Sequence, residues 1–405
     1  MELKKIHISD IGKIVTGKTP RTSVAENYDG YIPFLTPSDD LSHKSAPKTT
    51  KTLTEQGLNE VRNCLLPSRS ICVSCIGSDL GKVVMTKEPT VTNQQFNSII
   101  PNKNFNADFV YYFMTLVGRE LNYLSKTSTA VPIINKSSFS NYEIEVPDLE
   151  TQNRIASILS SIDSKIELNR RINDNLEQQT QALFKSWFVD NPKPNWSETT
   201  FSEVANFIGG YSYKGEELTD SSNIAMVTIK NFGRNGGFKA DGFKGIAPFV
   251  KLKECHYANL FDILVAHTDL TQNADVIGNA ELLLTYGRYD GIIFSMDLVK
   301  VLPKNNFPYR FLLAAMLKNK IFKGHCLGYV NGTTVLHLSK KALPNFEVKI
   351  PPKAEAKTMN DALAPYYQRM AEVLQENDRL IHLRDTLLPK LMSGELNINA
   401  KSRLQ

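Results

Sequence analysis

The chain has 405 residues, 41% hydrophobic and 22% charged, and its 47 basic and 42 acidic side chains give a formal net charge of +5. At roughly 150 residues per domain, this length predicts two or three domains, and the composition excludes disordered and low-complexity classes. The longest apolar run, residues 311–317, is far shorter than the ~20 residues that span a bilayer. No apolar stretch follows the lysines near the start, so we expect a cytoplasmic protein that is neither exported nor membrane-bound.

The five cysteines are an odd number, which argues against a disulfide framework. Cys72 and Cys75 have the spacing of half a zinc site, but the other three cysteines form no second pair. Cys72 also lies between Ile71 and Val73 in a strand-like run, which favours a buried thiol over a zinc ligand. The sequence therefore predicts no metal and no cofactor.

One long duplication organises the chain. The strings Val131-Pro-Ile-Ile-Asn-Lys136 and Asn141-Tyr-Glu-Ile-Glu-Val-Pro147 recur in similar form 204 residues later. Further upstream, Tyr31-Ile-Pro-Phe-Leu-Thr36 and Ser70-Ile-Cys-Val-Ser74 match segments 192 residues later. An offset that is constant near the ends and drifts in the middle indicates a shared framework that carries different loops.

Each half begins with about 140 residues of mixed pattern, in which short β-rich runs alternate with Gly, Pro, Asn and Asp. Residues 141–147 alternate between apolar and acidic side chains, which predicts a strand that ends at Pro147. A helix is predicted at residues 107–124, and its counterpart at residues 309–322 follows Pro308. Each half is therefore an α+β domain, rich in strands.

A long helix is predicted to follow each of these domains, because apolar and Asn residues recur with strict four-three spacing. No Gly or Pro interrupts residues 151–189, whereas Pro365 and Pro389 predict some distortion of the second helix. A helix of this length is a spacer rather than the core of a compact domain. The four-three spacing puts these residues on one face of each helix, which we call the seam. The predicted seam residues are Ile155, Leu159, Ile162, Ile166, Asn173, Leu176, Leu183, Trp187, Leu363, Met370, Val373, Asn377, Leu380, Leu387 and Leu391.

The two long helices most simply pair with each other, and the pseudo-twofold of the duplication makes the pair antiparallel. This arrangement places Asn173 near Asn377, where buried asparagines at a seam would fix the register. The alternative is that both asparagines face solvent where the seam frays.

No catalytic motif is recognisable. The sequence lacks a P-loop, and Asp190-Asn-Pro-Lys-Pro194 departs from the Asn/Asp-Pro-Pro-aromatic signature of adenine methyltransferases while fitting a linker after a helix. Glu347-Val-Lys349 resembles part of a nuclease motif, but the matching Glu143-Ile-Glu145 favours a solvent-facing strand. The histidines form no metal-binding or triad spacing. We therefore predict that the chain has no active site of its own.

The β-rich domains instead offer polar and basic loops. Arg, Lys, Asn and Gln, with hydroxyl groups, are the side chains that contact phosphates and base edges in DNA. The candidate DNA-binding residues are Lys18, Thr19, Arg21, Thr36, Arg69, Lys82, Gln94, Gln95, Lys230, Asn231, Arg234, Lys239, Thr268, Thr271, Gln272 and Asn273.

Several strings resemble the DNA-specificity subunits of type I restriction–modification enzymes, over almost the full length. Gly30-Tyr-Ile-Pro-Phe-Leu-Thr-Pro-Ser-Asp39 is similar to a string of the family's first domain, with Phe in place of Trp, and Asn93-Gln-Gln-Phe-Asn97 to a second. Pro147-Asp-Leu-Glu-Thr-Gln-Asn-Arg-Ile155 resembles the family's entry to the central helix. Leu387-Leu-Pro-Lys-Leu-Met-Ser-Gly-Glu-Leu396 resembles its C-terminal ending.

The resemblance implies a non-catalytic subunit in which each β-rich domain reads one half of a bipartite asymmetric site in double-stranded DNA. It also implies that the paired helices set the half-site spacing and dock two methyltransferase subunits, and that restriction (motor–nuclease) subunits join the complex, which acts as an adenine methyltransferase and ATP-dependent endonuclease. The alternative is a two-headed coiled-coil scaffold that binds proteins or glycans. The expected organisation is a first target-recognition domain (1–147), a central helix (148–190), a second target-recognition domain (191–350), a C-terminal helix (351–393) and a tail (394–405).

Overall fold

The computed structural model describes residues 2–45, 49–77, 79–125, 133–234 and 236–396. The chain forms two compact units: unit 1 comprises Met1–Lys165 and Leu380–Gln405, and unit 2 comprises Ile166–Arg379. Each unit combines one β-rich part with stretches of two long helices. Most of the expected tail, from residue 397 onward, and the start of the repeated string at residues 131–132 lie outside the described residues.

Unit 1 contains strands β1 (Lys4–His7), β2 (Gly12–Thr16), β3 (Tyr28–Leu35), β4 (Lys51–Leu53), β5 (Ile71–Ser74), β6 (Val83–Met85), β7 (Val91–Thr92), β8 (Phe96–Pro101) and β9 (Glu143–Val146). Its helices are α1 (Ile8–Ile11), α2 (Glu55–Val61), α3 (Ala107–Ser125), α4 (Lys136–Ser140) and the first part of α5 (Leu149–Lys185), with 3₁₀ turns at Ala25–Asn27 and Arg62–Cys64. The strands form an antiparallel sheet of order β2-β8-β5-β6, a sheet of order β4-β3-β7 in which β3 and β7 are parallel, and the antiparallel pair β1-β9.

The elements predicted in unit 1 are present. Strand β9 buries Ile144 and Val146 and exposes Glu143 and Glu145, as expected from their alternation. Helix α3 confirms the helix predicted at residues 107–124.

The central strand β5 explains the cysteine pattern of unit 1. All four of its residues are buried, because one face of its sheet packs on α3 and the other on a second apolar cluster. Cys72 belongs to the second cluster with Val84, and burial raises the pKa of its thiol to about 12. Such a thiol is a small apolar core residue. Among the described residues, no group of three His, Cys, Asp or Glu side chains is arranged to hold a metal ion.

Unit 2 contains strands β10 (Ser197–Thr200), β11 (Ala205–Gly209), β12 (Ile224–Val227), β13 (Lys244–Gly245), β14 (Tyr257–Ala258), β15 (Ile263–Ala266), β16 (Thr268–Asp269), β17 (Ala280–Leu282), β18 (Gly291–Phe294), β19 (Leu298–Pro303), β20 (Val330–Asn331), β21 (Leu336–Leu338) and β22 (Glu347–Ile350). Its helical segments are the rest of α5, a π turn at Ser186–Asp190, α6 (Phe201–Val204), α7 (Arg310–Leu317), α8 (Lys320–Leu327), most of α9 (Lys353–Ser393), and 3₁₀ turns at Gly215–Glu217, Ile229–Asn231, Ala240–Gly242 and Glu254–His256.

The sheets of unit 2 repeat those of unit 1. The antiparallel order β11-β19-β15-β17 corresponds to β2-β8-β5-β6, and the parallel pair β12-β18 corresponds to β3-β7. The antiparallel pair β10-β22 corresponds to β1-β9. Unit 2 adds the small sheet β16-β21-β20, whose hairpin turns at Gly332 with a φ of +108°. The structure thus confirms two similar α+β parts built on one duplicated plan.

The helix predicted at residues 309–322 is wrong in one respect, because the structure has two helices there. Helix α7 ends at Leu317, and α8 begins at Lys320. The Asn319 side chain accepts hydrogen bonds from the backbone N–H groups of Ile321 and Phe322, which makes Asn319 the N-cap of α8.

The two long helices are uninterrupted: α5 has 37 residues and α9 has 41. Helix α9 continues through Pro365 and Pro389, so the expected distortion does not break it. In unit 1, Arg384 Nη1 donates to Asp163 Oδ1 at 2.9 Å, and the buried seam residues Ile155 and Leu159 share a core with Leu391. The half-buried Leu387 packs against that core, Ile162 is buried, and Leu380 is half-buried.

In unit 2, the seam is held by asparagines. Asn377 Nδ2 donates to the backbone oxygen of Ile166, and Asn173 Nδ2 donates to that of Met370, each at 3.4 Å. Residue numbers rise on one helix as they fall on the other, so the two segments are antiparallel. Leu363, Met370 and Val373 are buried in the same unit, and Leu176, Leu183 and Trp187 are half-buried against its core.

The predicted pairing of Asn173 with Asn377 is wrong by one step of the seam. The partner of Asn377 is Asn169, whose Nδ2 donates to Asn377 Oδ1 at 2.9 Å. Asn169 and Asn173 both fall on the four-three pattern, so the pattern alone does not choose between them. Asn377 is 5% exposed, so it is buried in the seam.

Candidate nucleic-acid interface

Two loops of unit 1 bring Lys18, Thr19 and Gln94 together. Lys18 and Thr19 follow β2, and Gln94 lies between β7 and β8. The backbone N–H of Lys18 donates to Thr92 O at 2.9 Å, and Thr19 Oγ1 donates to Gln94 Oε1 at 2.7 Å. At Gly17 the loops approach so closely that a Cβ atom would lie 2.1 Å from the backbone oxygen of Asn93. Lys18 and Gln94 are therefore exposed on two loops that lie against each other.

The neighbouring Gln95 is anchored rather than extended. Asn93 Nδ2 donates to Gln95 Oε1 at 2.8 Å, and the backbone N–H of Gln95 donates to Asn93 Oδ1 at 3.1 Å. These two bonds fix the turn that presents Gln94.

Arg21 is exposed and carries a carboxylate partner. Its Nε and Nη2 donate to Glu60 Oε1 at 3.0 and 2.8 Å, and its backbone N–H donates to Glu60 Oε2 at 2.9 Å. These hydrogen bonds lower the pKa of Glu60 to about 2. The paired side chains therefore form a neutral pair on the surface of unit 1.

Thr36 and Asn231 lie in equivalent turns, one in each unit. In unit 1, the backbone N–H of Thr36 donates to Asp39 Oδ2 at 2.8 Å. In unit 2, 192 residues later, the backbone N–H of Thr228 donates to Asn231 Oδ1 at 3.0 Å. Asn231 is fully buried, and its Nδ2 donates to Lys239 O. Its amide is thus used inside the loop and is not available at the surface.

Arg69 and Lys82 are ion-paired elsewhere in unit 1. Arg69 shares the Asp108 carboxylate with Lys44, at 2.6 and 2.8 Å. Burial alone would raise the pKa of Asp108, but its hydrogen bonds to the two cations lower it. Arg69 also lines a cleft of about 490 Å³ beside the first residue of α5. Lys82 pairs with Asp79 at 2.7 Å.

In unit 2, an exposed basic loop at residues 229–239, described except for residue 235, carries Lys230, Arg234 and Lys239. The backbone N–H of Gly233 donates to Gly237 O at 2.9 Å, and Gly237 has a φ of +93°. This tight glycine turn presents Arg234, which is 3.8 Å from Asp275.

A second loop of unit 2 is built around the buried carboxylate of Asp269. The backbone N–H groups of Thr271 and Val276 donate to it at 2.8 and 2.6 Å, and the hydroxyl of Thr271 donates at 2.8 Å. Gln272 and Asn273 are exposed at the tip of this loop.

Thr268, just before this loop, is 6% exposed and donates its hydroxyl to Asp297 Oδ1 at 2.9 Å. The hydroxyl of Thr268 is likewise used inside unit 2 and is not available at the surface.

Sequence reasoning missed the hairpin β20–β21. Gln272 Nε2 donates to Thr333 O at 2.6 Å, so the hairpin lies against the Asp269 loop. Asn331, Thr333 and Thr334 are exposed there. The pair Asn331-Gly332 is a hairpin signal that the sequence contained.

These loops combine cations, amides and hydroxyl groups on the surfaces of the two units, which are the groups that bind phosphates and base edges. Among the residues that the structure describes, no helix is both long and apolar enough to cross a membrane.

Comparison with known proteins assigns the class. The model of the type I restriction modification DNA specificity domain matches twice, at residues 1–178 and 193–382. The chain belongs to this family of DNA-specificity subunits.

The type I restriction enzyme MjaIX specificity subunit of Methanocaldococcus jannaschii is 28% identical over 98% of this chain and 94% of its own length. The HindI specificity subunit of Haemophilus influenzae is 35% identical over 41% of this chain and 38% of its own length. The crystal structure of the type I restriction–modification S subunit from M. genitalium has the same fold, with a TM-score of 0.54 at 16% identity over 97% of this chain and 96% of that one.

Proposed function

We propose that each β-rich part of this chain reads one half of a split, asymmetric site in double-stranded DNA, and that the chain is the non-catalytic reader of its complex. The observation that carries this proposal is the double match to the specificity domain, one match for each half of the duplication. Each half has its own exposed loops of polar and basic side chains. The loops differ between the halves while the sheets are alike, which is the pattern expected of a reader of two different half-sites.

The contact residues proposed for unit 1 are centred on Lys18, Thr19 and Gln94, which two loops bring together. In unit 2, they are Lys230, Arg234 and Lys239 of the basic loop, with the tip of the Asp269 loop and the hairpin β20–β21. Arg and Gln are suited to bidentate contacts with guanine and adenine, and lysines to phosphates.

The long helices α5 and α9 are proposed to set the distance between the half-sites and to dock two methyltransferase subunits. The resemblance to the family supports this role, as does the uninterrupted length of both helices. In such a complex the methyltransferase subunits carry the adenine chemistry, and restriction subunits add ATP-dependent cleavage.

A domain exchange tests the proposal. Residues 200–345 are replaced by those of a relative, the chimera is assembled with the methyltransferase subunits, and methylated adenines are mapped in the DNA of the expressing cells. We expect one half of the methylated motif to change and the other half to stay the same. Changes in both halves would contradict separate reading by the two parts.

Salt dependence gives an independent test with the same complex and a duplex that contains the mapped motif. Phosphate contacts release counterions, so the affinity falls steeply between about 50 and 200 mM salt. Lys230→Ala should weaken binding to all sequences and reduce the slope of log affinity against log salt by about 1. The matched control is Lys349→Ala on β22, whose partner is Glu198 at 3.2 Å; it should leave the slope unchanged. An unchanged slope in Lys230→Ala would show that Lys230 does not contact a DNA phosphate.

A further inference from the structure

A buried ion cluster connects the long helix α5 of unit 2 to strand β17. Lys318, just after α7, places its Nζ 2.5 Å from Oε2 of Glu281 on β17 and 3.0 Å from Oε2 of Glu177 on α5. The side chains of Lys318 and Glu281 are 7% and 2% exposed. Buried charges are costly unless each is paired, so Lys318 and Glu281 depend on each other, whereas Glu177 is 20% exposed.

The charge state of the cluster follows from this packing. Burial alone would lower the pKa of Lys318, but the two carboxylates outweigh burial and raise it. Lys318 is therefore a cation at neutral pH and holds Glu281 in place.

The other oxygen of Glu281 reaches the basic loop. Oε1 accepts a hydrogen bond from the backbone N–H of Gly237 at 2.5 Å. Two residues earlier in the chain, Asn279 Nδ2 donates to Gly233 O at 2.9 Å, and Lys323 Nζ donates to Asn279 Oδ1 at 2.8 Å. The glycine turn of the loop is thus held at both ends by side chains of residues 279–281.

The same turn presents Arg234 at the surface. A base contact by a guanidinium group needs placement within about 0.5 Å. Because Gly233 and Gly237 lack side chains to anchor them, the position of this turn depends on Asn279 and Glu281.

We propose that Glu281 is a positioning residue for DNA reading by unit 2, which bridges Lys318 and Gly237 and thereby sets the base preference of the half-site that the basic loop contacts. This inference rests on the proposed function, since Arg234 must face DNA. Strand pairing places Val84 of unit 1, opposite Cys72, where unit 2 has Glu281 opposite Leu264. Unit 1 therefore has no carboxylate at the position that corresponds to Glu281.

The test uses the full chain assembled with its methyltransferase subunits and maps methylated adenines in cells. Glu281→Ala should lower discrimination about tenfold or more at one or more base positions of a single half-site, the size of effect expected from losing one bidentate base contact. Glu281→Gln should loosen the same half-site less than Glu281→Ala does, because its single amide oxygen accepts from either Gly237 or Lys318 but not from both. The matched control is Glu177→Ala, which removes a carboxylate from the same lysine without touching the loop and should keep the motif.

A second variant covers the case in which Glu281→Ala does not fold. The triple change Glu177→Ile, Lys318→Leu and Glu281→Val leaves no unpaired charge in the cluster and should loosen the same half-site. An unchanged motif in this variant or in Glu281→Ala would overturn the inference. So would equal loosening by Glu177→Ala, which would show a general loss of order. A wild-type complex that methylates no split motif would instead overturn the proposed function.

Discussion

The two units attach their β-rich parts to the long helices with different chemistry on the same framework. In unit 1, the Tyr112 hydroxyl donates to Asp163 Oδ2 at 2.6 Å, and Asp163 also pairs with Arg384. The duplication places Tyr367 where unit 1 has Asp163, and Thr180 where it has Arg384. In unit 2 the Thr180 hydroxyl donates to the backbone oxygen of Glu177 at 2.8 Å, and Tyr367 is buried in the core. An ion pair in one half therefore corresponds to neutral groups in the other.

The reverse holds at the sheet. Unit 2 buries Glu281 with Lys318 and Glu177, whereas the corresponding positions of unit 1 are the apolar Val84, Leu116 and Ile381. The framework thus accommodates charged or uncharged side chains both at the helix junction and at the sheet, provided that every buried charge has a partner. A buried charge in one half only is therefore better explained by what it holds than by the needs of the fold.

The largest expected effect is that of Lys318→Met in unit 2. This change leaves Glu281 and Glu177 without their shared cation, and we expect a loss of about 3–5 kcal/mol in the free energy of unfolding of unit 2. Urea titration with peptide-level hydrogen exchange reads the two units separately. The control, Lys349→Met on the exposed surface, should leave the stability unchanged; an equally small effect of Lys318→Met would contradict the paired cluster.

The next effect concerns the junction of unit 1. Asp163→Ala removes the acceptor of Tyr112 and one partner of Arg384, so the opening free energy of unit 1 should fall by about 2–4 kcal/mol. The corresponding change in unit 2, Tyr367→Phe, removes one neutral hydroxyl and should cost about 1 kcal/mol in unit 2. The same hydrogen-exchange measurement compares the two. Equal losses would show that the junctions do not differ in the way described.

A smaller effect is expected within the seam of unit 2. Asn377 Oδ1 accepts from Asn169, but the duplicated counterpart of Asn169 is Val373, which has no donor. Accordingly, Asn173 Oδ1 is buried without a hydrogen-bond partner among the described residues. Asn169→Val should likewise leave Asn377 Oδ1 buried without its hydrogen-bond donor and destabilise unit 2 by about 1–2 kcal/mol.

The reciprocal change serves as the control. Val373→Asn offers Asn173 a donor while it removes buried apolar surface, so a change of less than about 1 kcal/mol is expected. If Asn169→Val proved harmless, the hydrogen bond to Asn377 would not contribute to the seam.

The smallest effect is a difference in thiol reactivity. Burial raises the pKa of Cys72 to about 12 and that of Cys75 to about 11, so these thiols of unit 1 stay protonated at pH 8. In unit 2, Cys326 is buried with a pKa of about 12, whereas Cys255 is exposed. Titration with a thiol reagent in native buffer should label Cys255 first. Rapid labelling of Cys72 or Cys75 would contradict the burial of β5.

The duplication made most of the fold predictable, because each element could be checked against its counterpart. Alternating residues defined β9, and four-three spacing defined the long helices. The break between α7 and α8 was missed, since Asn319 reads as an ordinary polar residue until it caps a helix. The predicted partner of Asn377 was wrong by one step of the seam because Asn169 and Asn173 satisfy the same spacing.

The candidate site was less predictable, since residue type does not reveal burial. Asn231 and Thr268 are polar, yet both are buried and hydrogen-bonded within unit 2. Comparison with Asp39, 192 residues earlier, could have identified Asn231 as a turn residue. Glu281 gave no signal at all, because its partners come from distant parts of the chain.

The composition of unit 1 has a consequence for synthesis. Unit 2 is one continuous segment, whereas the core of unit 1 includes Leu388, Leu391 and Met392 from the far end of α9. The β-rich part that leaves the ribosome first is therefore completed last, with exposed apolar surface in the meantime. A premature stop codon shortly after Arg379 would leave unit 2 complete. Unit 1 would lack part of its core and would be exposed to proteases and chaperones.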